Sequence, residues 1–304
     1  MQVSSLFLYN AMMSQMGVNS YQMGKLTEQL STQKRINVPS DDPVIASRLV
    51  QLNREQSAIK QYQSNITSLS GALSIQESHI NALSNQVMSV SDKLKLANNG
   101  SLSQKDLASY GAELGSMLDS LVATMNSKNE NGSYLFSGTM TDSKTVTLDA
   151  NGQYVFGGNE KSRETTVANG VSITENTNIS HAFSSSGNDL DMLNKLKALS
   201  EKMQDPNASL TDYQDDLTAM IDMTQTTSDS LGALFTDLGG RQNRLTLIND
   251  AHTDVSLSNG QLETDLNEAP TAESYTKLQL YNTSVQISYK AYSMVSNLNL
   301  FSML

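Results

Sequence analysis

The most regular feature of the chain is a long run in which apolar residues recur at steps of three and four. These positions are Ile45, Leu49, Leu52, Ile59, Tyr62, Ile66, Leu69, Leu73, Ile80, Leu83, Val87, Val90 and Leu94. The spacing predicts a helix from Pro43 to about Asn98 with one narrow apolar seam. Asp42 before Pro43 is typical of a helix start, and Asn98-Asn99-Gly100 is typical of a helix end. A seam this narrow needs another helix beside it.

The same spacing predicts helices over residues 6–30, 103–125, 190–203, 211–266 and 271–301. Capping boxes are predicted at Ser103 with Asp106, and at Thr211 with Gln214. Gly239-Gly240 lies inside the second long helix and costs about 1 kcal/mol per glycine relative to alanine, which indicates close helix approach or a bend. Pro270 separates the last two helices.

Residues 129–186 differ from the rest because they are rich in Gly, Thr, Asn and short β-branched runs. Two hairpins are predicted, with turns at residues 149–152 and at Asn169-Gly170. The predicted fold is therefore mainly α: a long antiparallel coiled-coil-like helical rod made from both chain ends, with a small β-rich inserted domain. We expect a terminal helical domain (1–40 and 268–304), a long-helix domain (41–138 and 187–267) and a β-rich insertion (139–186).

Composition and charge exclude several classes of function. The chain has no Cys, which excludes disulfides and thiol chemistry. Its net charge of −11 and its lack of a Lys/Arg cluster argue against nucleic acid and anionic membranes as partners. No apolar run is long enough to span a membrane, and we expect no cleavable secretory signal at the N-terminus. His79, His181 and His252 lie far apart in the sequence, so no metal, cofactor or catalytic residue is predicted. Asp41-Asp42 and Asp215-Asp216 lie near helix starts, where negative charge is favoured without any acid/base role.

The terminal helices carry more apolar residues than one seam can bury, and several are methionines, which adapt to different packing partners. We therefore predict that they form an assembly surface, and that they become ordered when neighbouring molecules cover them. The candidate residues are Tyr9, Met12, Met16, Met23, Leu278, Val285, Ile287, Tyr292, Met294, Leu298 and Phe301.

Four segments resemble the bacterial flagellin superfamily and together cover essentially the whole chain. The segment 34–49 (KRINVPSDDPVIASRL) resembles its N-terminal signature, and 131–138 (NGSYLFSG) resembles the exit from the helical core. The segments 238–245 (LGGRQNRL) and 298–304 (LNLFSML) are similar to its mid-helix motif and its C-terminus. The resemblance implies a structural subunit, not an enzyme, in the branch that joins hook to filament. It also implies export through the flagellar secretion apparatus to the extracellular flagellum.

The partners that the resemblance implies are a ring of like subunits, hook-associated protein 1, flagellin, and an export chaperone on about residues 271–304. A flagellin filament subunit is the first alternative. Pro43-Val44-Ile45 and the short insertion favour the junction branch over flagellin. The second alternative is a coiled-coil enzyme or binding module with its site in residues 139–186, where titratable residues are only scattered.

Overall fold

The computed structural model describes residues 2–99, 102–184 and 189–301. Seven helices lie in these residues: α1 Gln2–Thr32, α2 Pro43–Ala97, α3 Gln104–Met125, α4 Ser180–Phe183, α5 Asp191–Gln204, α6 Leu210–Asn267 and α7 Thr271–Phe301. The chain divides into two compact units, one of Met1–Ile59 with Thr253–Leu304 and one of Lys60–His252. The three-domain division expected from the sequence stays a prediction.

The starts of the helices follow mostly from their capping residues. Asp42 Oδ1 accepts a hydrogen bond from the Ile45 amide at 3.1 Å, which begins α2 where the sequence predicts it. Ser103 and Asp106 form the predicted capping box of α3. The capping box predicted at Thr211 and Gln214 is wrong, because α6 already begins at Leu210. Ser209 takes that place, and its amide and hydroxyl both donate to Asp212 Oδ2, at 2.7 and 2.8 Å.

The insertion contains two separate antiparallel hairpins, as the turn residues predict. Strands β1 Val146–Leu148 and β2 Tyr154–Phe156 form the first, and β3 Glu164–Ala168 and β4 Val171–Thr174 form the second. Gly170 has a φ of 71° in the turn between β3 and β4, a conformation that glycine adopts without strain.

The core of the second unit lies between the long helices, α3, α5 and the hairpins. Helices α3 and α5 run antiparallel and approach closely at Gly111, whose carbonyl accepts from Ser200 Oγ at 2.8 Å. A side chain at Gly111 would lie 2.9 Å from Met203 Cβ. Tyr62 stacks on His252 with ring centroids 5.5 Å apart, and Gln242 Nε2 donates to Glu77 Oε2 at 2.8 Å, so α2 and α6 are antiparallel here.

The β3–β4 hairpin is fixed to the long helices by side chains that bond to its backbone. Arg241 Nη1 donates to the carbonyl oxygens of Thr174 at 3.3 Å and Asn176 at 3.1 Å. Gln76 Nε2 donates to the Glu175 carbonyl at 2.8 Å, and His252 Nε2 lies 2.7 Å from the Val167 carbonyl. Polar side chains of α2 and α6 therefore hold the backbone of the hairpin, while Val167 and Ile173 of the hairpin belong to the apolar core.

The first unit pairs the two chain-end helices. Helices α1 and α7 are antiparallel. In the same unit, Gln56 of α2 donates a hydrogen bond to Ser256 of α6. The predicted fold class is thus confirmed: the protein is mainly α, with antiparallel helix pairs from both chain ends and a small β-rich insertion. Of the two explanations offered for Gly239-Gly240, close helix approach is wrong within the described residues, since nothing lies within 4 Å of a Cβ at either position. A bend at these glycines stays a prediction.

Candidate assembly surface

The seam between α1 and α7 brings together most of the residues predicted for assembly. Tyr9 meets Tyr292 with ring centroids 5.6 Å apart. Met12, Met16, Met23, Leu278 and Val285 are half-buried. Ile287 and Met294 are exposed, so they lie outside the seam. Leu298 and Phe301 belong to α7, but their side chains lie outside the described residues. The assignment of all eleven residues to assembly stays a prediction.

A buried polar residue interrupts the seam. Asn19 breaks the apolar spacing of α1 and is only 3% exposed. Its Nδ2 donates to Ser284 Oγ of α7 at 3.0 Å, and its Oδ1 accepts from Gln15 Nε2 at 3.2 Å. Both ends of the amide are therefore hydrogen-bonded, which removes the penalty of burying it.

Large apolar side chains remain uncovered on the outer faces of the same two helices. They are Phe7, Met13, Val18 and Tyr21 on α1, and Tyr275, Leu280, Ile287, Tyr289 and Met294 on α7. Several large apolar side chains exposed on the same two helices are typical of an interaction site. The sequence-based prediction included Ile287 and Met294 but left out the other exposed residues, and on α1 it followed only the seam spacing. Among those left out are Phe7, Tyr21 and Leu280. The signal that could have found them is their own recurrence every seven or fourteen residues.

Two connectors, residues 33–42 between α1 and α2 and residues 268–270 between α6 and α7, lie side by side and are held by backbone hydrogen bonds. The Arg35 amide donates to the Asn267 carbonyl at 2.7 Å, and the Ala269 amide donates to the Gln33 carbonyl at 3.1 Å. The Ile36 amide donates to Asn267 Oδ1 at 3.0 Å. Arg35 Nη2 adds a bond to the Leu266 carbonyl, also at 3.0 Å. Gln33, Arg35 and Ile36 lie within or beside the signature 34–49, and the sequence analysis missed their role in joining the connectors.

An ion pair stabilises the first connector. Lys25 Nζ lies 2.8 Å from Asp41 Oδ1, while Asp41 Oδ2 accepts from the amides of Asn37 and Val38 at 3.0 and 3.1 Å. The hydrogen bond from Lys25, helped by these amides, holds the pKa of Asp41 below its usual value. The same contact raises the pKa of Lys25.

Among the other polar residues singled out from the sequence, His181 and Asp216 have local partners. His181 Nε2 lies 3.1 Å from Glu160 Oε1, and burial lowers the pKa of His79. Asp216 pairs with Lys202 at 2.9 Å. Among the described residues there is no group of three or more His, Cys, Asp or Glu placed to hold a metal ion. No helix in the same part of the chain is long and apolar enough to cross a membrane.

Comparison with known proteins places this fold in a family. The model of the bacterial flagellin N-terminal helical region matches residues 3–141. Flagellar hook-associated protein 3 of Escherichia coli (strain K12) is 26% identical, and the alignment covers 100% of this chain and 99% of that protein. The protein of the same name from Salmonella typhimurium is 33% identical over 53% of this chain and 50% of its own length.

Solved structures agree with these matches. A Vibrio parahaemolyticus protein described as flagellar hook-associated is 34% identical, with a TM-score of 0.69, over 75% of this chain and 100% of that one. Flagellar hook-associated protein-3 of Legionella pneumophila shares the fold, with a TM-score of 0.63 at 16% identity, over 71% of this chain and 98% of that one.

The long helices from both chain ends and the matches to flagellar proteins define a structural protein of the bacterial flagellum, in the flagellin superfamily. Within that superfamily, the chain belongs to the flagellar hook-associated protein 3 family.

Proposed function

We propose that this chain is the subunit that joins the hook to the flagellin filament. In this role it polymerises through α1 and α7 with a ring of like subunits, and it meets hook-associated protein 1 on one side and flagellin on the other. The observation that carries the proposal is the exposed apolar surface on the outer faces of α1 and α7, which a single copy leaves in water. A Legionella pneumophila protein of the same fold is described as a flagellar junction protein, which supports the junction position.

The three parts expected from the sequence would then divide the work. Residues 1–40 and 268–304 form the assembly core, because half of the large exposed apolar side chains of the described residues lie in this part, which is only about a quarter of the chain. Residues 41–138 and 187–267 connect that core to the insertion at 139–186. The methionines of the seam are compatible with a surface that adjusts its packing when neighbours arrive.

Export and protection before assembly complete the proposal. The subunit would leave the cell through the flagellar secretion apparatus, and an export chaperone would cover α7 until then. Exposed side chains such as Leu280 and Tyr289 give such a chaperone apolar area to bind.

The test removes residues 271–304 from the chain in cells that make no other copy. The full-length chain, produced at the same level, is the control. We expect the truncated form to keep the helices of residues 60–252 by circular dichroism, while filament protein appears in the medium instead of on the cell. Filaments that stay attached without the chain would contradict the junction role. Loss of all filament polymer, attached and free, would favour a flagellin subunit.

A further inference from the structure

Asparagine is followed directly by glycine at several places in this chain. Such a pair can lose the side-chain amide without an enzyme, because the glycine amide nitrogen can attack the side-chain carbon Cγ, and glycine has no side chain to obstruct the approach. The attack needs a glycine N–H that is free of other hydrogen bonds, so the fold decides which pairs react. The pairs that lie wholly within the described residues are Asn131-Gly132, Asn151-Gly152, Asn169-Gly170 and Asn259-Gly260.

The glycine amides of three of these pairs are already hydrogen-bonded. The Gly132 amide donates to the Asn129 carbonyl at 2.9 Å, and the Gly152 amide donates to the Asp149 carbonyl at 3.1 Å. Gly260 lies inside α6, where each amide donates to the carbonyl group four residues earlier. Reaction at any of these pairs must therefore first break a backbone hydrogen bond, which raises its barrier.

Asn169-Gly170 differs from the other pairs because its glycine amide is free. The pair forms the turn between β3 and β4. In the part of the chain that the structure describes, the Gly170 amide has no hydrogen-bond acceptor, and both residues of the pair are exposed to water. The side chain of Asn151, by contrast, is also held in place, because its Nδ2 donates to Asp149 Oδ2 at 3.3 Å.

We propose that Asn169 is a site of spontaneous deamidation in the folded protein. The Gly170 amide nitrogen gives up its proton and bonds to Asn169 Cγ, while the Cγ–Nδ2 bond breaks and Nδ2 leaves with that proton as ammonia. The product is a cyclic succinimide. One water molecule then opens the ring. Cleavage of the new bond at Cγ gives aspartate, and cleavage of the bond at the backbone carbonyl carbon gives isoaspartate.

The modification changes the end of the hairpin in two ways. Both products add a negative charge at the turn, and isoaspartate also lengthens the backbone by one carbon atom. The pairing of Ala168 with Val171, and with it the register of β3 and β4, depends on the length of this turn. The nearby Thr166 carbonyl accepts from Asn65 Nδ2 of α2 at 2.8 Å, so a disturbed register also weakens attachment to that helix.

The test incubates the purified full-length chain and follows the four asparagines in one sample by peptide mass spectrometry. We expect deamidation at Asn169 to be at least tenfold faster than at each of the other three, which must first break a hydrogen bond. The same chain unfolded in guanidinium chloride is the control, since all four glycine amides are then free and the rates should become similar. Asn169→Gln needs a larger ring for the same attack, so it should abolish the signal at this position and leave the other three unchanged.

A second measurement examines the effect on the hairpin. The deamidated fraction, separated by its extra charge, should show faster amide hydrogen exchange in β3 and β4 than the unmodified chain. Asn169→Asp carries the charge without the extra carbon atom, so its exchange should lie closer to that of the unmodified chain. Identical exchange in the deamidated and unmodified chains would overturn the effect on the hairpin.

The proposal fails if Asn131 or Asn151 reacts as fast as Asn169 in the folded chain. It also fails if Asn169 reacts only after unfolding. An equally large preference for Asn169 in guanidinium chloride would overturn the role of the free amide, because neighbouring residues would then select the site. The measurement uses the isolated chain, so these outcomes leave the proposed junction function untouched.

Discussion

Asn19 of α1 is a buried amide in the middle of a seam whose other members are mostly apolar. Methionine packs adaptably and specifies little, so apolar contacts alone would allow α1 and α7 to slide past each other. A buried polar residue that finds its partner in only one alignment penalises the others. The bond to Ser284 therefore favours one register of α1 along α7.

Replacing this amide should loosen the register without unfolding the pair. Asn19→Leu removes both hydrogen bonds, but Gln15 is exposed and Ser284 is only half-buried, so both can bond to water instead. In the Asn19 variant, we expect the yield of the intrachain disulfide between Tyr9→Cys and Tyr292→Cys to fall several-fold. The yield of the disulfide between Tyr9→Cys and Val285→Cys, one heptad away, should rise. Ser20→Leu introduces the same side chain at an exposed position and should change neither. An unchanged disulfide pattern in the Asn19 variant would assign the register to the apolar contacts.

The pair of Lys25 and Asp41 predicts how the connector responds to acid. The folded pKa of Asp41 is lowered, so its contribution to stability is present above the unfolded pKa of about 3.9 and is lost as pH falls through the folded pKa. We expect Asp41→Asn to reduce the free energy of unfolding at pH 7 by about 1–2 kcal/mol, because it weakens charged hydrogen bonds. The difference from the unmodified chain should become smaller as pH falls below about 3.9 in urea denaturation.

Asp92 supplies the control for this pH dependence. It is an exposed carboxylate that pairs only with Lys95, three residues away on the same helix. Asp92→Asn should change the free energy of unfolding by less than about 0.5 kcal/mol at either pH. A loss in Asp41→Asn of the same size at pH 3 as at pH 7 would mean that the geometry of the side chain matters and its charge does not.

At the scale of elements, periodicity predicted every long helix, because an uninterrupted three/four spacing identifies a helix even where its boundaries are uncertain. The hairpins were predicted from turn residues that favour specific backbone conformations, such as Asn169-Gly170. The start of α6 was predicted wrongly, since Thr211 with Gln214 and Ser209 with Asp212 are equally plausible capping boxes in the sequence. Only the position of the helix distinguishes them.

How the β3–β4 hairpin attaches to the helices could not be predicted, because the bonds go to backbone carbonyl groups that every sequence has. Arg241 belongs to the mid-helix motif, and nothing in the spacing of that motif indicates its partners at Thr174 and Asn176. The resemblance identified the residue as part of a motif, and the structure explains what it binds.

Arg241→Met should release the hairpin while leaving α6 helical. The substitution removes both bonds to the hairpin and keeps an unbranched side chain that is compatible with a helix. We expect amide hydrogen exchange in β3 and β4 to accelerate by at least tenfold, about 1.4 kcal/mol of local stability, with α6 unchanged. Arg244→Met, at an exposed position of the same motif, is the matched control. Equal protection in the two variants would show that Gln76 and His252 hold the hairpin without Arg241.

At the scale of the whole molecule, the sequence predicted that the terminal helices carry surplus apolar residues but not which faces would stay uncovered. A helix such as α7, with apolar residues around most of its circumference, has several possible seams, and the pattern does not rank them. The structure gives one of them to α1, through Tyr292 and its neighbours, and leaves Ile287 and Met294 in water.

A substitution at a single position on α7 should therefore disrupt assembly without affecting folding. Ile287→Lys places a charge on an exposed site, so the free energy of unfolding should change by less than about 0.5 kcal/mol. In an assembly the same charge must be buried without a partner, which is costly, so the variant should be absent from isolated flagella and filaments should detach. Gln286→Lys places the same charge on the neighbouring face that already carries Lys290, and it should assemble normally. Normal incorporation of Ile287→Lys would place the assembly surface elsewhere, since no apolar interface could accept that charge.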